Sequence, residues 1–126
     1  MKNLKIEYAK KKAWGLVASV DIYGCDVNII KDPKAIETFI IKLCEKIKMK
    51  RHGKALIERF AEGKLEGYSA MQFIETSSVT MHFDEVKSRA FVDIFSCKYF
   101  DPKMAEEFSK KFLKGSKAKT RHFLRV

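Results

Sequence analysis

The sequence predicts an α+β protein: an antiparallel sheet with two helices on one face, built from a strand-helix-strand unit that occurs twice. Three observations carry this. Two segments share one helix-start grammar, two closely similar β-like strings precede them, and further β-forming runs lie between and after the pairs.

The helix starts are Asp32-Pro33-Lys34 and Asp101-Pro102-Lys103. In each, Asp can cap the free amides of a first turn and Pro presets φ at the first helical position. Ile36, Phe39, Ile40, Leu43 and Ile47 then recur at spacings of three and four, as do Met104, Ala105, Phe108 and Phe112 before Gly115. Each helix therefore covers a core with one face.

The string Val17 to Cys25 sits over Arg89 to Cys97, with Ala, Val, Asp, Ile and Cys shared in order. After each helix comes another β-like run, Ala55 to Phe60 and Thr120 to Val126, which extends the repeat to strand, helix, strand. Between the copies, Tyr68 to Glu75 and Ser77 to Phe83 are rich in β-formers and read as a hairpin joined at the polar Glu75-Thr76-Ser77-Ser78. Lys48 to Lys54, Gly63 to Gly67 and Asp84 to Ser88 read as connections.

At 126 residues the chain is about one domain long, 1–126. Such a chain buries roughly two-thirds of its unfolded surface, enough for one core. Apolar residues make up 46% and charged residues 33%, which excludes a disordered chain. Cys25, Cys44 and Cys97 are odd in number and lack C-x-x-C spacing, so neither a disulfide framework nor a zinc site is indicated. No metal is expected. The basic start, Met1 to Lys12, leads into no apolar run of signal or membrane length, so the chain reads as cytoplasmic, with no membrane partner. The scarcity of Asn and Gln (Asn3, Asn28 and Gln72) beside abundant Lys and Glu is a bias of proteins that work hot. The net charge of +10 includes seven Lys or Arg between Lys110 and Val126. No groove-reading motif or stacking platform accompanies them, so they read as a solvated surface, not a nucleic-acid site.

Phosphate-loop, dinucleotide, zinc-protease and nucleophile-elbow motifs are all missing. What remains is Ser69, Ser77, Ser78, Thr80 and His82, followed by Cys97: hydroxyls, an imidazole and a thiol, the reagents of nucleophilic and proton-transfer catalysis. Taken singly, each reads as an ordinary structural residue of a strand or turn before it reads as a reagent.

Their order and spacing resemble the prokaryotic S-adenosylmethionine decarboxylase proenzymes. The likeness begins at Gly15 and runs through Asp21-Ile-Tyr-Gly-Cys-Asp26, Gly67-Tyr-Ser69, the Glu75 to His82 segment and Val92-Asp-Ile-Phe-Ser-Cys97. Its most specific part is the spacing: Ser69 eight residues before Ser77, His82 five after it, and Cys97 fifteen after His82.

The resemblance implies that the chain cuts its own backbone between Thr76 and Ser77, giving chains 1–76 and 77–126. Ser77 would become a covalent pyruvoyl group that forms a Schiff base with the amine of S-adenosylmethionine, so no external cofactor is needed. The decarboxylated product would be the aminopropyl donor for spermidine and other polyamines. His82 and Ser69 would assist the cut by proton transfer and oxyanion support, and Cys97 would protonate the carbanion left by decarboxylation. Family members carry Trp-Pro-Glu after the histidine, and here Asp84-Glu85-Val86 offers Glu85 as the substrate-binding carboxylate. The family also implies a homodimer with sites at or near the interface.

Two other readings stay open: a decarboxylase of another amino acid such as arginine or ornithine, and a non-processing homologue acting as a binding or regulatory subunit. Asp21, Glu75 or Asp93 are the acids that would offset the positive field for a sulfonium substrate. Because residues five apart in a regular strand face opposite ways, bringing Ser77 and His82 to one face requires a break near Thr76 to Ser78.

Overall fold

A computed structural model describes residues 2–126. The chain order is α1 (Lys2–Lys10), β1 (Gly15–Tyr23), α2 (Val27–Ile30), α3 (Pro33–Lys46), β2 (Leu56–Phe60), β3 (Gly67–Ile74), β4 (Ser77–Asp84), β5 (Arg89–Ser96), α4 (Pro102–Phe112) and β6 (Lys117–Arg125). A single turn of 3-10 helix, Gly63–Leu65, connects β2 to β3.

Both Asp-Pro starts are helix N-termini: Asp32 accepts from the Lys34 amide at 3.0 Å and Asp101 from the Lys103 amide at 2.9 Å. Phe39 of α3 packs on Phe108 and Phe112 of α4, with ring centroids 6.1 and 5.3 Å apart. The two helices thereby share one apolar seam beneath the sheet.

The six strands lie in the order β2-β3-β4-β5-β1-β6, every neighbouring pair antiparallel. The repeated strings form the central pair. Val20 lies opposite Val92, its counterpart in the repeat, and Ala18–Ile94 mirrors Ile22–Ala90. The duplication is thus a local two-fold relation about one valine pair.

From β1 the chain crosses under the helix layer to β2 at one edge, and from β5 it crosses to β6 at the other. β1 and β5 run in opposite directions and their crossovers go to opposite sides. Right-handed connection of both puts both helices on the same face.

Alternation along the strands separates two surfaces. Leu16, Ala18, Val20 and Ile22 of β1, Val79 and Met81 of β4, and Ala90, Val92 and Ile94 of β5 are buried against the helices. The other face carries Ser69, Met71 and Phe73, Thr80 and His82, Phe91, Asp93 and Phe95, and Phe123. No element among the described residues covers that face.

The expected break near Thr76 to Ser78 is corrected. Glu75 and Thr76 form a two-residue turn, Ile74 pairs with Ser77, and β4 continues without a bulge to Asp84, paired on both sides. The helices α1 and α2 were not expected, and β6 begins at Lys117, three residues earlier than Thr120.

Gln72, on the buried face of β3, is fully shielded from solvent. Its Nε2 donates to the carbonyls of His52, Gly53 and Phe73 at 3.3, 3.0 and 2.8 Å. One side-chain amide therefore ties the 48–54 connection to the sheet. Replacing Gln72 with Leu should leave those carbonyls less satisfied and lower stability by about 1–3 kcal/mol. A denaturant midpoint equal to that of the unaltered chain would contradict this role.

Three carboxylates hold the periphery. Asp84 binds Arg89 at 2.6 Å, Glu85 binds Arg59 at 2.7 Å, and Glu106 accepts from Thr120 Oγ1 at 2.5 Å and from Lys103 Nζ at 3.0 Å. Desolvation pushes Asp84 upward, but Arg89 and nearby backbone amides outweigh it and hold the carboxyl below its ordinary value. Glu85 is lowered first by its hydrogen bonds to Arg59, and Glu106 by Thr120 and Lys103 against desolvation. Carboxylates depressed on folding stabilise above their unfolded pKa, about 4, and that contribution is lost as pH falls through the lower folded values. Acid unfolding should begin below about pH 4, and Glu85→Gln should flatten that slope in a pH series of urea midpoints.

Candidate active site

The turn Glu75–Thr76 is gripped from two sides. On one, the Glu75 amide donates to the Lys50 carbonyl at 3.0 Å and Arg51 bridges to Ile74. On the other, the Cys97 amide donates to the Thr76 carbonyl oxygen at 2.9 Å, which continues the β4–β5 ladder past Ser77–Ser96. The carbonyl preceding Ser77 is thereby polarised by a fixed donor.

Beneath the turn, the fully buried Ser96 hydroxyl donates to Thr76 Oγ1 at 2.8 Å and accepts from the Lys98 amide at 2.9 Å. Met49 Sδ lies 3.4 Å from Thr76 Oγ1. These contacts fix both the side chain and the carbonyl of Thr76.

Cys97 is the one exposed thiol among the described cysteines. Burial pushes Cys25 and Cys44 up to about 11, which makes them inert core groups. Only Cys97 can therefore meet a solute, and it stands at the cross-strand position opposite Thr76.

A second constellation lies at the far end of β4 on the open face. Ser69 Oγ and His82 Nδ1 are 2.8 Å apart across the β3–β4 pair, so one proton bridges hydroxyl and ring. Gly67 permits this close ladder: a Cβ there would collide with the Phe83 carbonyl oxygen. Cavities of about 410 and 220 Å³ flank His82, the larger lined by Leu65, Asp84, Val86, Arg89 and Phe91.

The structure thus joins Ser77 with Cys97, and Ser69 with His82, but keeps the pairs apart. Five residues of unbroken strand separate Ser77 from His82, roughly 17 Å, with side chains on opposite faces. Glu85 lies at the His82 end, where Arg59 engages both of its oxygens at 2.7 and 3.0 Å. Of the three acids expected to offset the positive charge, Asp21 is paired with Arg121 and Glu75 with Lys50, while Asp93 accepts from the neutral Ser19 hydroxyl and has no cation partner among the described residues.

Sequence reasoning named neither Ser96 nor Tyr8 as a site residue. Ser96 adjoins Cys97 in the repeated string, and that adjacency was its only signal. Tyr8, on α1, donates from its hydroxyl to the Cys97 carbonyl at 3.0 Å. Among the described residues no cluster of His, Cys, Asp and Glu stands ready to hold a metal, and no helix is long and apolar enough to cross a membrane.

Comparison with known proteins bears on the fold and the family. Proteins described as S-adenosylmethionine decarboxylase proenzyme from two strains of Clostridium botulinum are each 25% identical over 107 residues, spanning 84% of this chain and 89% of theirs. The crystal structure of the adenosylmethionine decarboxylase from Aquifex aeolicus superposes with a TM-score of 0.74 at 18% identity, over 90% of this chain and 91% of that one, a likeness of fold. The family model for S-adenosylmethionine decarboxylase matches residues 17–126, so the chain belongs to that family.

Proposed function

We propose that this protein is a self-processing, pyruvoyl-dependent S-adenosylmethionine decarboxylase that supplies the aminopropyl donor for polyamine synthesis. The observation that carries the proposal is the hydrogen bond from the Cys97 amide to the Thr76 carbonyl, directly before Ser77 and beside an exposed thiol. A carbonyl so held accepts negative charge with its donor already in place.

In the first step the Ser77 hydroxyl attacks the Thr76 carbonyl carbon through a five-membered ring. The C–N bond breaks, the proton passes to the freed amine, and an ester joins the two halves. Loss of the Ser77 Cα proton then expels the Thr76 carboxylate, and water replaces the nitrogen as ammonia to leave the ketone. Serine is required because its oxygen must first attack and then leave. Ser96 and Met49 hold Thr76 while this happens.

The pyruvoyl group at position 77 supplies a ketone that takes up the substrate amine and draws in the electrons released with carbon dioxide. Cys97 provides the proton that ends the reaction, and the three unpaired cysteines suit the reducing conditions of a cytoplasm.

His82 and Ser69 lie too far from their own Thr76–Ser77 bond to assist it, so the proposal places them on the bond of a second copy. The open sheet face supports such a homodimer: Phe73, Phe123 and Trp14 are 58, 54 and 63% exposed there or at its rim. A two-fold axis lying between two such faces and running across the strands would set the His82 end of one β4 over the Ser77 end of its partner. The cavity beside His82, with Phe91 and Val86 on its wall, then faces the partner's Cys97 and offers room for the substrate.

Intact mass spectrometry tests the cut. The unaltered chain should give fragments 1–76 and 77–126, and Ser77→Ala should stay whole. Two whole chains would overturn the pyruvoyl mechanism and favour a non-processing homologue.

Co-expression tests the shared site. His82→Ala alone should cleave at least tenfold more slowly, as expected for loss of a proton-transfer group. Co-expressed with Ser77→Ala, whose His82 is intact, the His82→Ala chain should recover cleavage. Failure to recover, with mixed dimers confirmed by mass, would place His82 on its own chain's bond.

A further inference from the structure

The helix α1 precedes the residues that the family model matches, and nothing in the reaction proposed above uses it. Nine residues are too few for a helix to hold itself in water, so α1 is ordered by what it docks on. Leu4 is buried, the Tyr8 ring meets the Tyr99 ring edge to face at 5.8 Å, and the Lys5 ammonium lies 5.9 Å from the centre of the same Tyr99 ring. Docking in this way brings the Tyr8 hydroxyl to the rim of the Thr76–Cys97 site.

That hydroxyl donates to the Cys97 carbonyl at 3.0 Å. The peptide group it grips, between Cys97 and Lys98, is held at its other end by the Lys98 amide donating to Ser96 Oγ at 2.9 Å. The amide of Cys97 itself points the other way, onto the Thr76 carbonyl at 2.9 Å. A residue just past the end of β5 is thus pinned at three points, and two of them lie outside the β4–β5 ladder. Desolvation, then the coulombic influence of the neighbouring Cys97 side chain, raises the Tyr8 phenol above its ordinary value, so the hydroxyl remains a donor throughout the neutral range.

We propose that Tyr8 is a positioning residue for self-cleavage: its hydroxyl fixes the Cys97–Lys98 peptide and so keeps the Cys97 amide on the Thr76 carbonyl. The inference rests on the reading that the Thr76–Ser77 bond cuts itself. When the Ser77 oxygen bonds to the Thr76 carbon, the carbonyl electron pair moves onto oxygen, and the Cys97 amide is the donor that meets it. Collapse then breaks the C–N bond, with the serine proton going to the amine. Tyr8 touches none of these atoms and acts through Cys97.

The test compares Tyr8→Phe with Tyr99→Phe. Each keeps a ring at the α1 contact, but only the first removes the hydroxyl that grips Cys97. By intact mass, Tyr8→Phe should convert about three- to tenfold more slowly than the unaltered chain, the effect of one lost neutral hydrogen bond. Tyr99→Phe should keep the original rate, and both variants should melt within a few degrees of the unaltered chain.

Hydroxylamine, which cuts esters but not amides, should release less fragment 1–76 at early times from Tyr8→Phe, because the delay precedes the ester. In the uncleavable Ser77→Ala background, Tyr8→Phe should also speed hydrogen exchange at the Cys97 amide. Cleavage of Tyr8→Phe at the original rate overturns the proposal, as does equal slowing in Tyr99→Phe. An unaltered chain that stays whole overturns the self-cleavage reading and this inference together, and that result is visible without any Tyr8 variant.

Discussion

Strand β4 imposes the constraint on which the rest of the site depends. It is paired with β3 on one side and β5 on the other without a bulge, so its side chains alternate strictly and its two ends cannot approach. Ser77 begins the strand and His82 lies five residues on, facing the opposite way. The same ladder that parts them supplies the Cys97 amide at one end and the Ser69–His82 pair at the other. Bending β4 to unite the groups in one chain would break backbone hydrogen bonds on both sides, each worth about 1 kcal/mol. The proposed second subunit would unite them without that cost.

Much of this fold was legible because its devices are local. Asp-Pro starts, three-and-four apolar spacing and a repeated strand string each act within a few residues, and each is found where its physics puts it, except that Met104 stands exposed on its helix. The pairing of Val20 with Val92 turns a sequence repeat into a symmetry element of the sheet. Helix α1 was illegible for the opposite reason. Its sequence, KNLKIEYAK, has no acidic residue in its first turn and little apolar stripe beyond Leu4 and Tyr8, so docking on Tyr99 and not propensity explains it. Ser69, Ser77, His82 and Cys97 stood out by spacing, but spacing does not say which of them meet in one chain. Ser96 and Gln72 escaped notice because their importance is entirely tertiary: each is a buried polar group whose partners come from distant segments.

The excess positive charge also has a place in the fold. Edge strand β6 carries Lys117, Lys119, Arg121 and Arg125, and a charged edge discourages pairing with the strands of other molecules. Arg125 lies 4.6 Å over the Phe95 ring and 5.7 Å from Phe123, so part of that charge also covers aromatic surface. At the opposite edge, Arg59 lies 5.0 Å over Tyr68 and gathers Glu66 and Glu85 into a brace for the His82 end of the sheet. Glu85 in this setting is a structural anion first.

The strand order carries a last consequence. Cut after Thr76, the sheet would read, from one edge to the other, two strands of the first piece, two of the second, one of the first and one of the second. The pieces would interlock like fingers. Neither would keep a continuous core alone, since β1 of the first piece would sit between β5 and β6 of the second. Such a nick would be a maturation event that comes after folding, and it would yield two chains with one fate: they would unfold together, or not at all.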